Sequence, residues 1–170
     1  DKLEQQKLID AAKLDSMTSL LNHEATMEYM RYVIKTEYDR QHAFFMLDVD
    51  NFKNLNDTLG HRTGDKFLIK LSAELKKKFR ETDVVGRIGG DEFFALMRNI
   101  SDFSKIEEKA KEIVAVVREA ASDYPDIGLS GSVGVSIYPR DGKTLDELYA
   151  KTDEALYEAK GSGKNTYKFR

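Results

Sequence analysis

Between residues 83 and 97 the chain reads Asp83-Val84-Val85-Gly86-Arg87-Ile88, then Gly89-Gly90-Asp91, then Glu92-Phe93-Phe94-Ala95-Leu96-Met97. Two apolar stretches separated only by two glycines and an acid leave no room for a crossover helix. They therefore predict strands Asp83–Ile88 and Glu92–Met97 in an antiparallel hairpin turning at Gly89-Gly90. That excludes an all-helical domain and a purely parallel sheet. Elsewhere strands alternate with helices. Ala25–Tyr38 is a predicted helix, and Ala43–Val49 an apolar strand of a central sheet. Asp65–Phe79 carries Leu68, Leu71, Leu75 and Phe79 at helical spacing. Ser104 and Glu107 form a capping box for a helix bearing Ile106, Ala110, Ile113, Val114 and Val117. Leu129–Tyr138 is a strand region that Gly131 and Gly134 could bend into a hairpin. Thr144 and Glu147 cap a last helix with Leu145, Leu148, Thr152, Ala155, Leu156 and Ala159 facing inward, and Tyr167–Phe169 is a short closing strand.

This pattern predicts an α/β domain of the α+β kind, with helices packed on an antiparallel or mixed sheet. A ferredoxin-like βαββαβ core with added helices and a hairpin fits it best. With 170 residues there is room for one domain, and residues 15–170 are assigned to it. Residues 1–14 read as a charged, weakly amphipathic linker helix, with Leu3, Leu8, Ile9 and Ala12 on one side. Its mid-helix character suggests a piece of a longer protein, with a sensor or a membrane anchor upstream. The net charge of −3 supplies no field for a polyanion, so nucleic acid is not an expected partner. Cysteine is absent, which removes disulfides, thiolate metal sites and cysteine nucleophiles and fits a cytoplasmic domain. The longest apolar runs, Ala43–Leu47 among them, are far short of the roughly 20 residues that span a bilayer.

Three stretches carry chemistry. At the hairpin tip, Gly89 and Gly90 remove side chains and permit positive φ, so a bulky anion can approach the backbone. Asp91 and Glu92, directly after them, suit a phosphate site only if a divalent cation intervenes, and Mg²⁺ uses one or two carboxylates in this way. An ordinary turn with solvated acids is the plainer alternative. In Phe44-Phe45-Met46-Leu47-Asp48-Val49-Asp50, Asp48 and Asp50 share a strand face with Phe44 and Met46. An acid there is costly unless paired or metal-bound, although Asp48 could also merely end the strand. From Asn51 to Asp65, polar residues crowd one helix-to-helix connection. Asn56 and Asp65 together could read guanine, the carboxylate accepting from N1–H and N2–H₂ and the amide donating to O6 or N7. They could equally cap helix ends, and spacing leaves both readings open.

Five ordered stretches together resemble the GGDEF domain family, the diguanylate cyclases. They are Asp15 through His23, Asp48 through Asp65, Arg87 through Phe93, Val135 through Pro139, and Asp153 through Asn165. The resemblance runs from about residue 15 to the end and implies a palm-like sheet of the nucleotidyl-cyclase kind. It implies a cyclase that condenses two GTP molecules into cyclic di-GMP with release of pyrophosphate. Asp48 and Asp91 would hold Mg²⁺ or Mn²⁺ together with the Val49 carbonyl, and Asp91 or Glu92 would accept the proton. Phe52, Lys53, Asn56, His61, Asp65, Gly89 and Gly90 would line the substrate. Lys160 and Lys164, four apart and so expected on one helix face, would clamp phosphate. Arg80 and Asp83 resemble an RxxD product-inhibition site for cyclic di-GMP, with a helix-end ion pair as the plainer reading. A transient homodimer would complete the site, under an upstream sensor domain.

Three positions depart from the family pattern: Ile88 replaces a common aromatic, Lys164 a frequent arginine, and His23 a common arginine. Lys164 thereby offers a point charge where arginine offers a fork. Competing readings are a non-enzymatic receptor of the same fold and a cyclase that closes one GTP on itself. The retained Asp48, Asp91 and Glu92 speak against the first, and the guanine pair against the second.

Overall fold

The computed structural model describes residues 13–170. Almost all of the expected linker helix therefore lies outside the described residues. At its end, Leu14 forms an isolated antiparallel bridge with Leu21, which in turn bridges Gly86.

The elements run α1 (His23–Thr36), β1 (His42–Asp50), α2 (Phe52–Leu59), α3 (His61–Lys77), β2 (Val84–Arg87), β3 (Glu92–Met97), α4 (Phe103–Ala120), β4 (Ser130–Tyr138), α5 (Leu145–Gly161) and β5 (Thr166–Phe169). The sheet order is β2-β3-β1-β4-β5. The first four strands pair antiparallel and β5 joins β4 in parallel. With α3 and α4 as its helices, β1 to β4 form the expected βαββαβ core, and α5 with β5 adds a fifth strand at the β4 edge.

Alternation along β1 divides the core in two. Ala43, Phe45, Leu47 and Val49 pack with Phe67, Leu68, Leu71 and Leu75 of α3 and with Ile106, Ile113 and Val117 of α4. Phe44 and Met46 face the other way, toward Met30 and Val33 of α1 and Leu148 and Leu156 of α5. Each such fully buried side chain contributes roughly 1.5–3 kcal/mol. Asp48 and Asp50 continue this second face, as the period of two requires.

Two local expectations are corrected. Leu129–Tyr138 holds one continuous strand with no hairpin. Its glycines serve tertiary packing: a Cβ on Gly134 would lie 2.2 Å from the Thr152 carbonyl and 2.4 Å from the Leu156 nitrogen. Helix α5 thus lies directly on the β4 backbone, pinned by the Ser136–Thr152 hydroxyl pair at 2.7 Å. The cap of α4 is Asp102, whose carboxylate accepts from the Ser104 N–H, so there is no Ser104/Glu107 box. Asp102 lies at the position that leaves the donors of the first turn open, and the Ser104 hydroxyl itself donates to it at 2.7 Å. The Thr144/Glu147 box on α5 is present as read.

Candidate active site

The antiparallel register sets Asp48 of β1 opposite Glu92 of β3. The Val49 N–H donates to the Asp91 carbonyl at 3.2 Å, tying the hairpin tip to the end of the central strand. The Val49 side chain is buried in the core. Asp48 and Asp91 thereby come close enough to share a hydrogen bond. Burial, then the Asp48 charge and that shared bond, push the Asp91 carboxyl up to about 6. Glu92 is raised as well, by burial and by the charges of Asp48 and Asp153, with Lys160 opposing.

Lys160, in the last turn of α5, reaches over these acids. Its Nζ lies 3.0 Å from Asp48 and 3.5 Å from Asp50. Burial works against the ammonium, yet hydrogen bonds and charge from Asp48 and Asp50 hold its pKa above the ordinary lysine value. A single cation thus serves a cluster of several acids.

This donor set fits a divalent cation. Asp91, kept from ionising by burial and by the neighbouring Asp48 charge, is relieved by added positive charge, and an ammonium already stands against Asp48. Among the described residues no three His, Cys, Asp or Glu side chains form a complete metal cage. Hard oxygen ligands in so small a number suit Mg²⁺, which completes its shell with water and phosphate.

The glycine pair departs from its expected reason. Neither Gly89 nor Gly90 has positive φ. A Cβ on Gly90 would meet nothing within 4 Å, so the turn leaves open space beside the acids. Arg87 braces it, donating from Nε to the Gly90 carbonyl at 3.0 Å and from its guanidinium to Asp15 at 3.1 Å. The Asp15–His23 stretch, to which the sequence assigned no chemistry, is thereby a support for the hairpin.

The polar stretch after β1 is two helices rather than one connection. Helix α3 starts at His61, four residues before the expected Asp65, and Gly60, at φ 91°, alone separates it from α2. Asn54 donates to the Ile127 carbonyl at 2.9 Å, holding α2 in place. Asn56 packs where a Cβ on Gly64 would stand, at 1.9 Å, so the two helices cross at closest approach there. The Asn56 Oδ1 is shut off from solvent and has no hydrogen-bond partner, an orphaned acceptor one residue from Asp65 along the crossing. Phe52 is half-buried with its ring 6.3 Å from Phe67, and Lys53, His61 and Asp65 are exposed.

The phosphate lysines do not share a helix face. Helix α5 ends at Gly161, and Lys164 sits in the following turn at φ 64°. The glycines at 161 and 163 break the helix before a fourth residue can complete the spacing.

Arg80 and Asp83 stand elsewhere, beyond the end of α3. Asp83 is 2% exposed and accepts from the Arg80 N–H at 2.9 Å, the Arg98 N–H at 3.0 Å and the Arg80 guanidinium at 3.1 Å. The carboxylate expected to meet a ligand is therefore turned inward and paired, whereas the Arg80 side chain is more than half exposed. Arg80 borders an open cleft of about 490 Å³ that Arg40 and Arg98 also line.

Two residues of the acid site were given no role from sequence. Asp153 faces Glu92, and its seven-residue spacing from Lys160 on α5 was a usable signal. Asp50 is fully buried beneath Lys160, held by residues remote in sequence.

Comparison with known proteins bears on the family and the fold. Residues 12–166 match the family described as diguanylate cyclase, GGDEF domain. MucR of Pseudomonas aeruginosa, named a bifunctional diguanylate cyclase/cyclic di-GMP phosphodiesterase, is 33% identical over 171 residues, covering 96% of this chain and 24% of that protein. The chain thus spans about a quarter of that relative. The solved GGDEF domain of TpbB (YfiN) from Pseudomonas aeruginosa superposes with TM-score 0.83 at 30% identity, covering 92% of this chain and 93% of that one. The coiled coil and GGDEF domain of DgcB from Caulobacter crescentus, solved with c-di-GMP, gives TM-score 0.82 at 25% identity, covering 99% and 90%.

Proposed function

Because the chain belongs to the GGDEF domain family, we propose that it is an active diguanylate cyclase domain that joins two GTP molecules into cyclic di-GMP. The observation that carries this reading is the register that sets Asp48 opposite Glu92 and ties Val49 to the Asp91 carbonyl, with Lys160 3.0 Å from Asp48.

In this reading Asp48, Asp91 and the Val49 carbonyl hold Mg²⁺ or Mn²⁺, which when bound neutralises charge at the phosphates and acidifies the attacking hydroxyl. Asn56 and Asp65 orient guanine, with Phe52, Lys53 and His61 at the rim and the open turn at Gly89-Gly90 beside the phosphates. Lys160 and Lys164 bind the triphosphate, leaving Asp48 its place in the cation site. The 3′-oxygen of one GTP attacks the α-phosphorus of the other, forming an O–P bond as the bond to pyrophosphate breaks. Its proton passes to a carboxylate, and Glu92, raised by its neighbours, is suited to take it. Two such transfers close the ring. Each domain carries one set of acids and one guanine pair, so two domains related by a two-fold axis supply the whole site. Arg80 binds product at the second site, and Asp83 joins it only by leaving its buried partners. An upstream domain regulates the encounter.

Incubating the chain with GTP and Mg²⁺ and weighing the products tests this. Cyclic di-GMP is expected, with specific activity rising over a hundredfold increase in enzyme concentration. A product of one cyclised GTP, or no product from well-folded protein at high concentration, overturns the reading.

A further inference from the structure

Asp50 lies two residues beyond Asp48 on the same face of β1 and is 1% exposed. A carboxylate so buried is costly unless both oxygens are paired. Its donors come from three separate parts of the fold. From β4, the Ser130 hydroxyl donates to Oδ2 at 2.6 Å and the Ser132 hydroxyl to Oδ1 at 2.7 Å. From α5, the Lys160 ammonium stands 3.5 Å from Oδ1. From the turn after α5, the Asn165 N–H donates to Oδ2 at 3.1 Å.

That turn is unusual. Gly163, Lys164 and Asn165 have φ of 103°, 64° and 49°. A lysine is disfavoured in the left-handed region and an asparagine less so, so the turn needs an outside hold. The Asn165 N–H bond to Asp50 supplies one, and Arg118 donating to the Asn165 side chain at 3.2 Å supplies another. One buried carboxylate thus touches Lys160 and also holds the backbone that presents Lys164.

We propose that Asp50 is a positioning residue for the triphosphate clamp, acting on GTP only through Lys160 and Lys164. This rests on the reading of those lysines as phosphate ligands. Lys160 is shared between Asp48 and Asp50. When Asp48 turns to a cation, the ammonium loses its nearer partner, and Asp50, fixed by three other donors, keeps it at the rim of the site. Without the Asp50 charge, Lys160 collapses onto Asp48 and the strained turn relaxes.

The test measures calorimetric binding of 3′-deoxy-GTP, which lacks the attacking hydroxyl, in Mg²⁺. It compares the whole chain with Asp50→Asn, Lys160→Met and the double variant, with melting curves for each. Each single change should weaken binding about tenfold, the weight of a lost charge-assisted hydrogen bond. The double variant should weaken it by clearly less than the product of the two, a coupling that a merely structural role does not produce. Lys160→Met binding like the parent removes the clamp reading and this inference together. Weak binding by Lys160→Met beside parental binding by a cooperatively melting Asp50→Asn overturns this inference alone, as does strict multiplication in the double variant. If Asp50→Asn does not fold, Ser130→Ala takes its place in the same cycle. It removes one donor at a half-buried position and should weaken binding about threefold, again non-multiplicatively with Lys160→Met. Parental binding or strict multiplication there overturns the inference equally.

Discussion

Two of the clusters in which carboxylates and cations lie within hydrogen-bond reach are balanced in opposite ways. At Arg80–Asp83 a single buried carboxylate receives two backbone N–H groups and a guanidinium. At Asp48–Asp91, burial and the charge of Asp48 hold the Asp91 and Glu92 carboxyls above their ordinary range, and one ammonium stands against Asp48. Both are acid–base clusters by composition. The first is satisfied by the fold itself, and its carboxylate contributes to stability. The second is left short of positive charge, and a folded protein tolerates such a shortage where a ligand supplies the rest.

Four measurements can break or sharpen this contrast. Replacing Asp48 or Asp91 by Asn should lower cyclisation by about a thousandfold, the scale of a lost electrostatic contact to the transition state. Melting temperature in the absence of metal should stay level or rise, because a repulsive pair has been relieved. Near-parental turnover in a folded Asp48→Asn chain removes the cation site. Asp83→Asn should do the reverse. It strips charge from a buried acceptor of several donors, so chemical denaturation should show a loss of about 2–3 kcal/mol. A fully stable Asp83→Asn chain would mean that the second cluster is not satisfied as described.

Nucleotide choice probes a third group, the exposed Asp65 carboxylate read as accepting from the guanine N1–H and N2–H₂. Adenine presents an acceptor at N1 where guanine presents a donor, and the mismatch is worth roughly 1–3 kcal/mol. Initial rates should therefore favour GTP over ATP by tenfold or more, and equal rates refute guanine readout at this crossing.

The smallest effect is one of pH. The Asp91 carboxyl titrates near 6 in the fold against an ordinary value of 3.8, so the folded chain binds more protons between those limits than the unfolded one. Its stabilising contribution is complete below the unfolded value and is lost as pH rises through about 6. In EDTA the melting temperature should carry this downward component from pH 4 to 7. Added Mg²⁺ should raise melting more at pH 7.5 than at pH 4.5, since the cation competes with the proton. Equal Mg²⁺ effects at both pH values would separate the metal from Asp91.

How much of this was legible in the sequence varied with the range of the cause. Central strand β1, the hairpin and the helix faces follow from local periodicity, and the structure has them within a few residues. Asp48 and Asp91 stood out because an acid ending an apolar strand and acids after a glycine pair are locally anomalous, but the roles proposed for them came from the family resemblance. Gly134 was misread as a bend because its cause, the backbone of α5, is a tertiary neighbour. Asp102 and Ser104 are both good caps, and only geometry decides that the serine donates to the aspartate. The start of α3 was missed because residues 61–64 carry no apolar period, the pattern on which the reading relied. Asp50 takes its partners from 80, 82 and 115 residues away, beyond any spacing rule.

Strand β1 is hydrogen-bonded along both edges, to β3 from Ala43 to Asp48 and to β4 from His42 to Asp50. Few segments of a fold this size have their amides locked on two sides over such a length. Opening them requires separating the two halves of the sheet, so their exchange with solvent deuterium tracks global unfolding rather than local breathing. Asp48 is therefore mounted on a strand whose amides should be among the last to exchange. In the proposed reading, the residue that would hold the cation rides on the part of the sheet that opens last.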